Sequence, residues 1–434
     1  MTDKSKPEER YLHGSWSNLT LDALVETAVR ARPTRRSFSD APDITKWSDL
    51  KAQSTNAAEL GAMTVRFARQ VLTLGLRQGD PVLVIMPNCV DGVVTLLGLI
   101  TAGLVPCPVS VVAGTAEIQA AAELVGAKAI ITVNRYAEFQ PALAAREAAS
   151  RFYGVRFICA FGPNLPSGVV SLDDWQDAEL WQDMLPTNTP MTPALITLDR
   201  SGEDLTAHLR NHAQVISDAL ALSAISGLTG RGSIIATFAP VSAAGFVSSV
   251  ASPLISGTMV ALHGPFDAEV LIEQLTLMPE ALIVLPAAVE ETIRSVLGPL
   301  LKDTIVVTRD LGVNRPANSL GRVTELVSLG EAALWALLRD GIRARPRLPR
   351  FYANPVSTAL PRTSPQIEVS LSARGRLALS GFGVARQRKL DGSIDLGHGP
   401  VETRWLAHGD GPDYYVCIPE DRDVNGETVT FAAA

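Results

Sequence analysis

The chain has 434 residues, 47% of them apolar and 19% charged, and a formal net charge of 38 − 45 = −7. That length exceeds one compact core and predicts two or three domains, while the apolar share excludes a disordered protein. The acidic balance, with no basic cluster standing out, excludes nucleic-acid binding, which needs grouped Lys and Arg against phosphates.

Four cysteines (Cys89, Cys107, Cys159, Cys417), without close pairing or nearby histidines, indicate neither a disulfide framework nor a zinc site. The N-terminus, MTDKSKPEER, is charged where a signal peptide is apolar, so a cytoplasmic protein is expected. Val93 to Val112 carries no charge and has about the minimum length for crossing a bilayer. Gly103, Pro106 and Pro108 break its second half, and the expectation is a buried helix followed by a buried strand, not a membrane span.

In chain order, residues 1 to about 20 form a lead-in. Leu21 to Ala31 has apolar residues at helical spacing, with Asp22 and Glu26 suiting its N-terminal half. Asp49 to Leu76 is a long helical pattern, closed by Gly75 and Gly79. Val82–Ile85, Val105–Val109 and Ala129–Val133 read as strands, separated by helices at about Val90–Ala102 and Glu117–Val125. Strands apolar throughout and alternating with helices indicate a parallel sheet covered on both faces. Residues 162–193, with Trp175 and Trp181, read as a connecting segment.

The next stretch, Ala194 to Ile216 (ALITLDRSGEDLTAHLRNHAQVI), predicts a strand at Ala194–Ile196, a polar turn at Ser201–Gly202 and a helix from Leu205. Strand, turn and helix together form the usual seat of a phosphate, because backbone N–H groups and the helix N-terminus converge there. The loop chemistry conflicts with that role. It offers one glycine, with Asp199, Glu203 and Asp204 around it and no lysine. On the predicted helix His208 and His212 fall at i, i+4, a spacing able to bind zinc, but no third ligand is evident and a surface pair is expected.

Alternation then resumes, with strands at Ser233–Phe238, Thr258–Leu262, Ala281–Leu285 and Thr304–Thr308. Helices are predicted at Gly245–Ile255, Ala268–Leu277, Val289–Leu297 and Glu331–Leu338. From Arg345 short runs such as Ile367–Leu371 and Arg376–Ser380, broken by Gly and Pro, indicate a smaller β-rich unit.

The segment LGLRQGDPVLVIMPNCVDGVVTLLGLITAGLVPCPVS, with Gly79–Asp80, Pro87–Asn88 and Ala102–Gly103 as a set, resembles the adenylate-forming (AMP-binding) superfamily of acyl- and aryl-CoA ligases. The likeness continues from Ile234, through Ile283–Pro286, and at Gly375–Leu377 and Trp405–Asp410. The resemblance implies two doubly wound, mainly parallel α/β subdomains (1–193 and 194–344) and a small β-rich, barrel-like subdomain (345–434). With only Gly411 to Ala434 following, and no lysine among them, the family's C-terminal lid domain is expected to be absent.

The site residues follow from the same resemblance. The family's Thr/Ser/Gly loop, which holds the ATP phosphates, aligns with Leu198 to Glu203, making Ser201 and Gly202 its cofactor-binding positions; Thr206 takes the place of the loop lysine. The family's aromatic-Gly-x-Thr-Glu motif matches Leu329–Gly330–Glu331, with Gly330 at the nucleotide. Glu331 is either a metal-directed catalytic carboxylate or an ordinary residue opening the helix Glu331–Leu338. Trp405–Leu406–Ala407–His408–Gly409–Asp410 matches Trp-x-x-Thr-Gly-Asp, whose aspartate accepts both ribose hydroxyls; the other reading of Asp410 is a turn. The acid pocket maps to Phe238, Ala239, Val241, Phe246 and Leu329, which otherwise fill core.

Three functions compete on this basis. One is a catalytically impaired relative that binds a carboxylic acid, acyl thioester or adenylate, with AMP or ATP–Mg as possible cofactors. Another is an active AMP-forming acid–thiol ligase whose lid domain comes from a separate chain. The third is a structural partner of an active paralogue, whereas contact with a carrier protein belongs to the impaired relative. Neither a resident metal nor a requirement for CoA can be read from the residues.

Overall fold

Short segments without a polar face, such as Pro81–Ile85, Ala129–Val133 and Leu282–Pro286, can be satisfied only inside a sheet covered on both sides. The structure, a computed structural model, describes residues 19–173, 175, 185–201, 204–229, 232–301, 303–308, 322–339, 347–352, 367–388 and 400–417. Trp181, Gly202 and Glu203 lie outside the described residues.

Five parallel strands form the first sheet, in the order Val105–Pro108, Pro81–Ile85, Ala129–Val133, Phe157–Phe161, Val170–Ser171. Eight strands form the large sheet. Its order is Ala333–Leu338, Val323–Leu329, Thr304–Thr308, Leu282–Pro286, Ser233–Ala236, Met259–Leu262, Arg36–Ser39, Ser54–Asn56, with only the two edge strands antiparallel. The large sheet thus takes two strands from the segment before residue 193 and the rest from beyond 232. The two α/β units expected from the sequence interleave in space.

The helix Val90–Thr101 is buried at every residue and belongs to one core cluster that joins both sheets. It and the strand Val105–Pro108 account for the uncharged run from Val93 to Val112; no described helix is long and apolar enough to cross a membrane. The long pattern predicted from Asp49 divides into an edge strand, Ser54–Asn56, and the helix Ala57–Leu72. The break comes at Asn56, whose side chain accepts the Glu59 amide while Glu59 returns a bond to the Asn56 amide.

Beyond the two α/β units, an antiparallel sheet of six short strands runs from Arg347 to Cys417 and shares a core with the large sheet's edge through Val327, Leu329, Trp335, Leu348 and Trp405. This is the expected β-rich unit. Trp175, Trp335 and Trp405 are all buried, as packing residues.

Candidate functional site

In the stretch from Pro193, a hairpin stands where strand, turn and helix were expected. Pro193–Ser201 pairs antiparallel with Asp204–Asn211, as far as Ser201 opposite Asp204, and Arg386–Arg388 adds a third strand. The predicted helix from Leu205 is therefore overturned. The reason lies in LTAHLRN, which alternates with period two: Ala207 and Leu209 enter the core beneath the first sheet, and Thr206, His208 and Arg210 occupy the opposite side of the strand. The helix starts only at His212, where Asn211 accepts the Gln214 amide and Gln214 accepts the Asn211 amide.

The histidine pair disappears with that helix. His208 sits on the strand and His212 opens the helix, and both are buried instead of lying on the surface. His208 Nε2 is 3.3 Å from Thr206 Oγ1, and burial, helped by Arg210, lowers its pKa to about 3. His212 Nδ1 accepts the Leu21 amide at 2.9 Å, so it is the unprotonated nitrogen; burial lowers this pKa to about 4. Both rings are neutral at ordinary pH.

Beside them lies an ion pair that no motif along the chain announces. Arg210 is wholly buried, with Nη1 3.4 Å from Thr197 Oγ1 and Nε 3.8 Å from the Asp218 carboxylate on the following helix. Burial pulls the guanidinium pKa down, while Asp218 and Glu331 both hold it up; burial likewise pushes Asp218 up to about 7 against the pull of Arg210. No local spacing links a strand residue to a helix residue eight positions on, so the pair emerges only from the hairpin's packing.

Glu331 was expected to open a helix over residues 331–338. That helix is a strand, Ala333–Leu338, because ALWALL is apolar without helical period and completes the large sheet against Val323–Leu329. Gly330 (φ 53°) and Glu331 (φ 56°) make the turn between these strands, two left-handed residues in succession. The Glu331 carboxylate is buried, and its Oε2 accepts the Ala243 amide at 2.8 Å. An acidic side chain does sit at a helix N-terminus, but the helix is the one opening at Ala243. That helix continues through a π-helical stretch, Val247–Ala251, to Ser256.

Asp199, on the first strand of the hairpin, reaches the same turn: a Cβ built on Gly330 would stand 3.0 Å from its Oδ2. Structure therefore gathers Asp199, Gly330, Glu331 and Arg210 around one turn, with Ser201 two residues further along the strand. Of the expected acid pocket, Phe246 and Leu329 are wholly buried in core, whereas Phe238 and Val241 are half-buried in the loop after Ser233–Ala236. A cavity of about 10 Å³ that Val241 borders together with Met86, Cys89 and Val93 has room for about one water.

Asp410 lies in the turn joining Val401–Gly409 to Tyr414–Cys417, its amide bonded to the Tyr414 carbonyl. Its carboxylate is 2.7 Å from Arg347 Nε, and that guanidinium stacks 4.0 Å above the Tyr414 ring. The carboxylate stays about one-third exposed, at 34%. Among the described residues no cluster of three or more His, Cys, Asp or Glu is placed to hold a metal ion.

The family model described as AMP-binding enzyme matches residues 25–198. A salicyl-AMP ligase / salicyl-S-ArCP synthetase of Mycobacterium tuberculosis is 36% identical over 93 residues, which cover 21% of this chain and 16% of that protein. Among solved structures, the Mycobacterium smegmatis MbtA apo structure superposes with a TM-score of 0.71 at 18% identity, covering 96% of this chain and 79% of that one. The Klebsiella oxytoca NpsA N-terminal subdomain bound to anthranilyl-AMSN gives 0.65 at 14%, covering 93% and 100%. O-succinylbenzoate Coenzyme A synthetase (MenE) of Bacillus subtilis, in complex with ATP and magnesium, gives 0.65 at 12%, covering 91% and 99%. Residues 25–198 thus match the AMP-binding enzyme model, and the described residues share the fold of the NpsA N-terminal subdomain and of MbtA.

Proposed function

We propose that this chain is an adenylate-forming-type domain that binds a nucleoside monophosphate, or the adenylate of an aryl or acyl acid, in preference to ATP–Mg. The observation that carries the reading is the hairpin. A phosphate cradle needs successive unpaired N–H groups pointing at one anion. Here the backbone from Pro193 to Ser201 is committed to a ladder that runs as far as Ser201 opposite Asp204, and Asp199 brings a carboxylate to the Gly330 turn. Each further phosphate would meet acidic side chains and few free amides, so a triphosphate fits this hairpin poorly.

The bond from the Ala243 amide to Glu331 supports a structural duty for that carboxylate, which leaves it badly placed to hold a magnesium ion. Asp410, partly exposed, supports retention of a ribose contact. An aryl acid is favoured by the salicyl-AMP ligase relative and by the NpsA complex with anthranilyl-AMSN.

Calorimetric titration with AMP, ADP and ATP–Mg tests the reading, alongside thermal shift with salicylate and anthranilate. The expected order of affinity is AMP, then ADP, then ATP–Mg, with aryl acids raising the melting temperature in the presence of AMP. ATP–Mg binding at micromolar strength, roughly −8 kcal/mol, overturns the proposal in favour of an active AMP-forming ligase. Failure of every nucleotide and acid to bind leaves the partner of an active paralogue as the better account.

A further inference from the structure

Arg32, Arg35 and Arg36 escape a sequence reading that finds no basic cluster, because three arginines interrupted by Pro33 and Thr34 form no run. In the fold they line one groove, with a cavity of about 300 Å³, at the small end of the range for small-molecule sites. The groove lies between the C-terminal end of the helix Leu21–Ala31 and that of Ser252–Ser256, the strand Arg36–Ser39 continuing from it. No carboxylate lines it, and none of the three arginines has an ion pair among the described residues. Its neutral wall is apolar, chiefly Leu24, Ala28, Pro253 and Leu254, and Ser256 and Thr258 supply hydroxyls.

The arrangement is built. Gly257, at φ 64°, ends its helix in the left-handed region, and a Cβ there would come within 3.2 Å of Arg35 Nη1. The glycine thus leaves space for the Arg35 guanidinium. Two helix C-termini contribute about half a negative charge each, which steadies the arginines but does not neutralise three of them. The groove also lies away from the candidate site. It meets the strands Arg36–Ser39 and Met259–Leu262 at their N-terminal ends, whereas ligands of open α/β sheets gather beyond the carboxyl ends.

We propose that this groove is a second ligand site, for a small organic phosphate whose dianion is held by Arg32, Arg35 and Arg36 and whose carbon body rests on Leu24, Ala28 and Leu254. Guanidinium groups match phosphate oxygens in paired hydrogen bonds, and a dianion balances most of the charge the groove presents.

Phenyl phosphate, titrated calorimetrically at low salt beside inorganic phosphate, is the probe. The expected result is saturable binding, tighter for phenyl phosphate. Arg35→Gln should weaken it by about tenfold or more, the loss expected for one charge-assisted contact, and Arg35→Lys should restore part of it. Arg32→Gln and Arg36→Gln, both at exposed positions, give the same reading should Arg35→Gln fail to fold. Arg30→Gln, whose arginine pairs with Glu26 outside the groove, should bind as the parent does. Absence of saturable binding, or binding indifferent to the groove arginines, overturns the proposal. Binding lost in Asp410→Ala but kept in the arginine variants overturns it too, by assigning the phosphate to the nucleotide position.

Discussion

Glu331 accepts the amide of Ala243 at 2.8 Å across 88 positions of sequence, and in doing so ties the edge hairpin of the large sheet to the start of a buried helix. The residue keeps a left-handed backbone that costs a non-glycine side chain about 1–2 kcal/mol. That cost is offset by a charge-assisted hydrogen bond to a helix N-terminus and by attraction to Arg210.

Glu331→Ala should therefore destabilise the protein by about 1–3 kcal/mol, the cost of a buried donor left without its acceptor. Glu331→Gln, which keeps an acceptor oxygen in place, should lose less. Urea unfolding of the two variants measures the difference. Equal losses would mean that charge near Arg210, not the bond to Ala243, is what the position supplies.

A pH dependence follows from the buried aspartates. Asp40 takes the amides of Val90 and Gln53, and burial raises its pKa from 3.8 to about 7; Asp91, joined to Gln53, rises to about 6. Between about pH 4 and 7 the folded chain holds these protons while the unfolded chain has released them, so this contribution is full below pH 4 and is lost as pH rises through 7. His208 and His212 act in the opposite sense, because the unfolded chain takes up their protons below about 6.5 and the folded one does not. Asp218, also raised to about 7 by burial, adds a third such carboxyl. Three carboxyls outweigh two histidines, so stability falls gently as pH rises from 4 to 6.5 and on to about 7. His208→Gln should steepen the gain on acidification from pH 6.5 to 4, as followed by melting temperature against pH. A variant with the parent's profile would mean that His208 is protonated in the fold.

How much of this was legible in the residues depended on how far apart the interacting groups lie. Parallel strands such as Ala129–Val133 and Thr304–Thr308 carry their own signal, since a run apolar on both faces has few alternatives. Leu205–Asn211 carried a signal too, in its strict alternation, but apolar spacing taken over the longer stretch to Ile216 favoured a helix there. Ala333–Leu338 was lost for another reason: a short apolar run fits a helix or a strand equally, and only its pairing with Val323–Leu329 decides. Arg210 with Asp218, Glu331 with Ala243, and the arginine groove are contacts between elements. No spacing along the chain encodes them.

Asp410 offers a separation of binding from folding. Its pair with Arg347 is partly exposed, 25% and 34% for the two side chains, so breaking it should cost no more than about 1 kcal/mol of stability. If Asp410 also receives the two ribose hydroxyls, Asp410→Ala should remove on the order of 2–4 kcal/mol of AMP affinity. Calorimetry beside a melting curve reads both quantities. An unchanged AMP affinity would reduce Trp405 to Asp410 to a turn braced by Arg347.

The contact between Gly330 and Asp199 yields the most specific test of the candidate site. Alanine at 330 meets two obstacles. Its backbone must hold φ 53°, and its Cβ would lie 3.0 Å from Asp199 Oδ2, closer than carbon and oxygen normally approach. The first should cost about 1 kcal/mol whatever the neighbour is, and the second depends on Asp199 alone. Gly330→Ala should thus be destabilising, and part of the loss should vanish when Asp199→Ala is added, giving a coupling of about 0.5–3 kcal/mol in a double-mutant cycle. The same cycle bears on nucleotide choice. Removing the Asp199 carboxylate takes away one like charge from beside the turn, so Asp199→Ala should improve ATP–Mg affinity more than AMP affinity. If the two single changes add without coupling, Asp199 does not crowd Gly330 in solution. If Asp199→Ala improves AMP and ATP–Mg equally or neither, the acidic hairpin is not what discriminates between them.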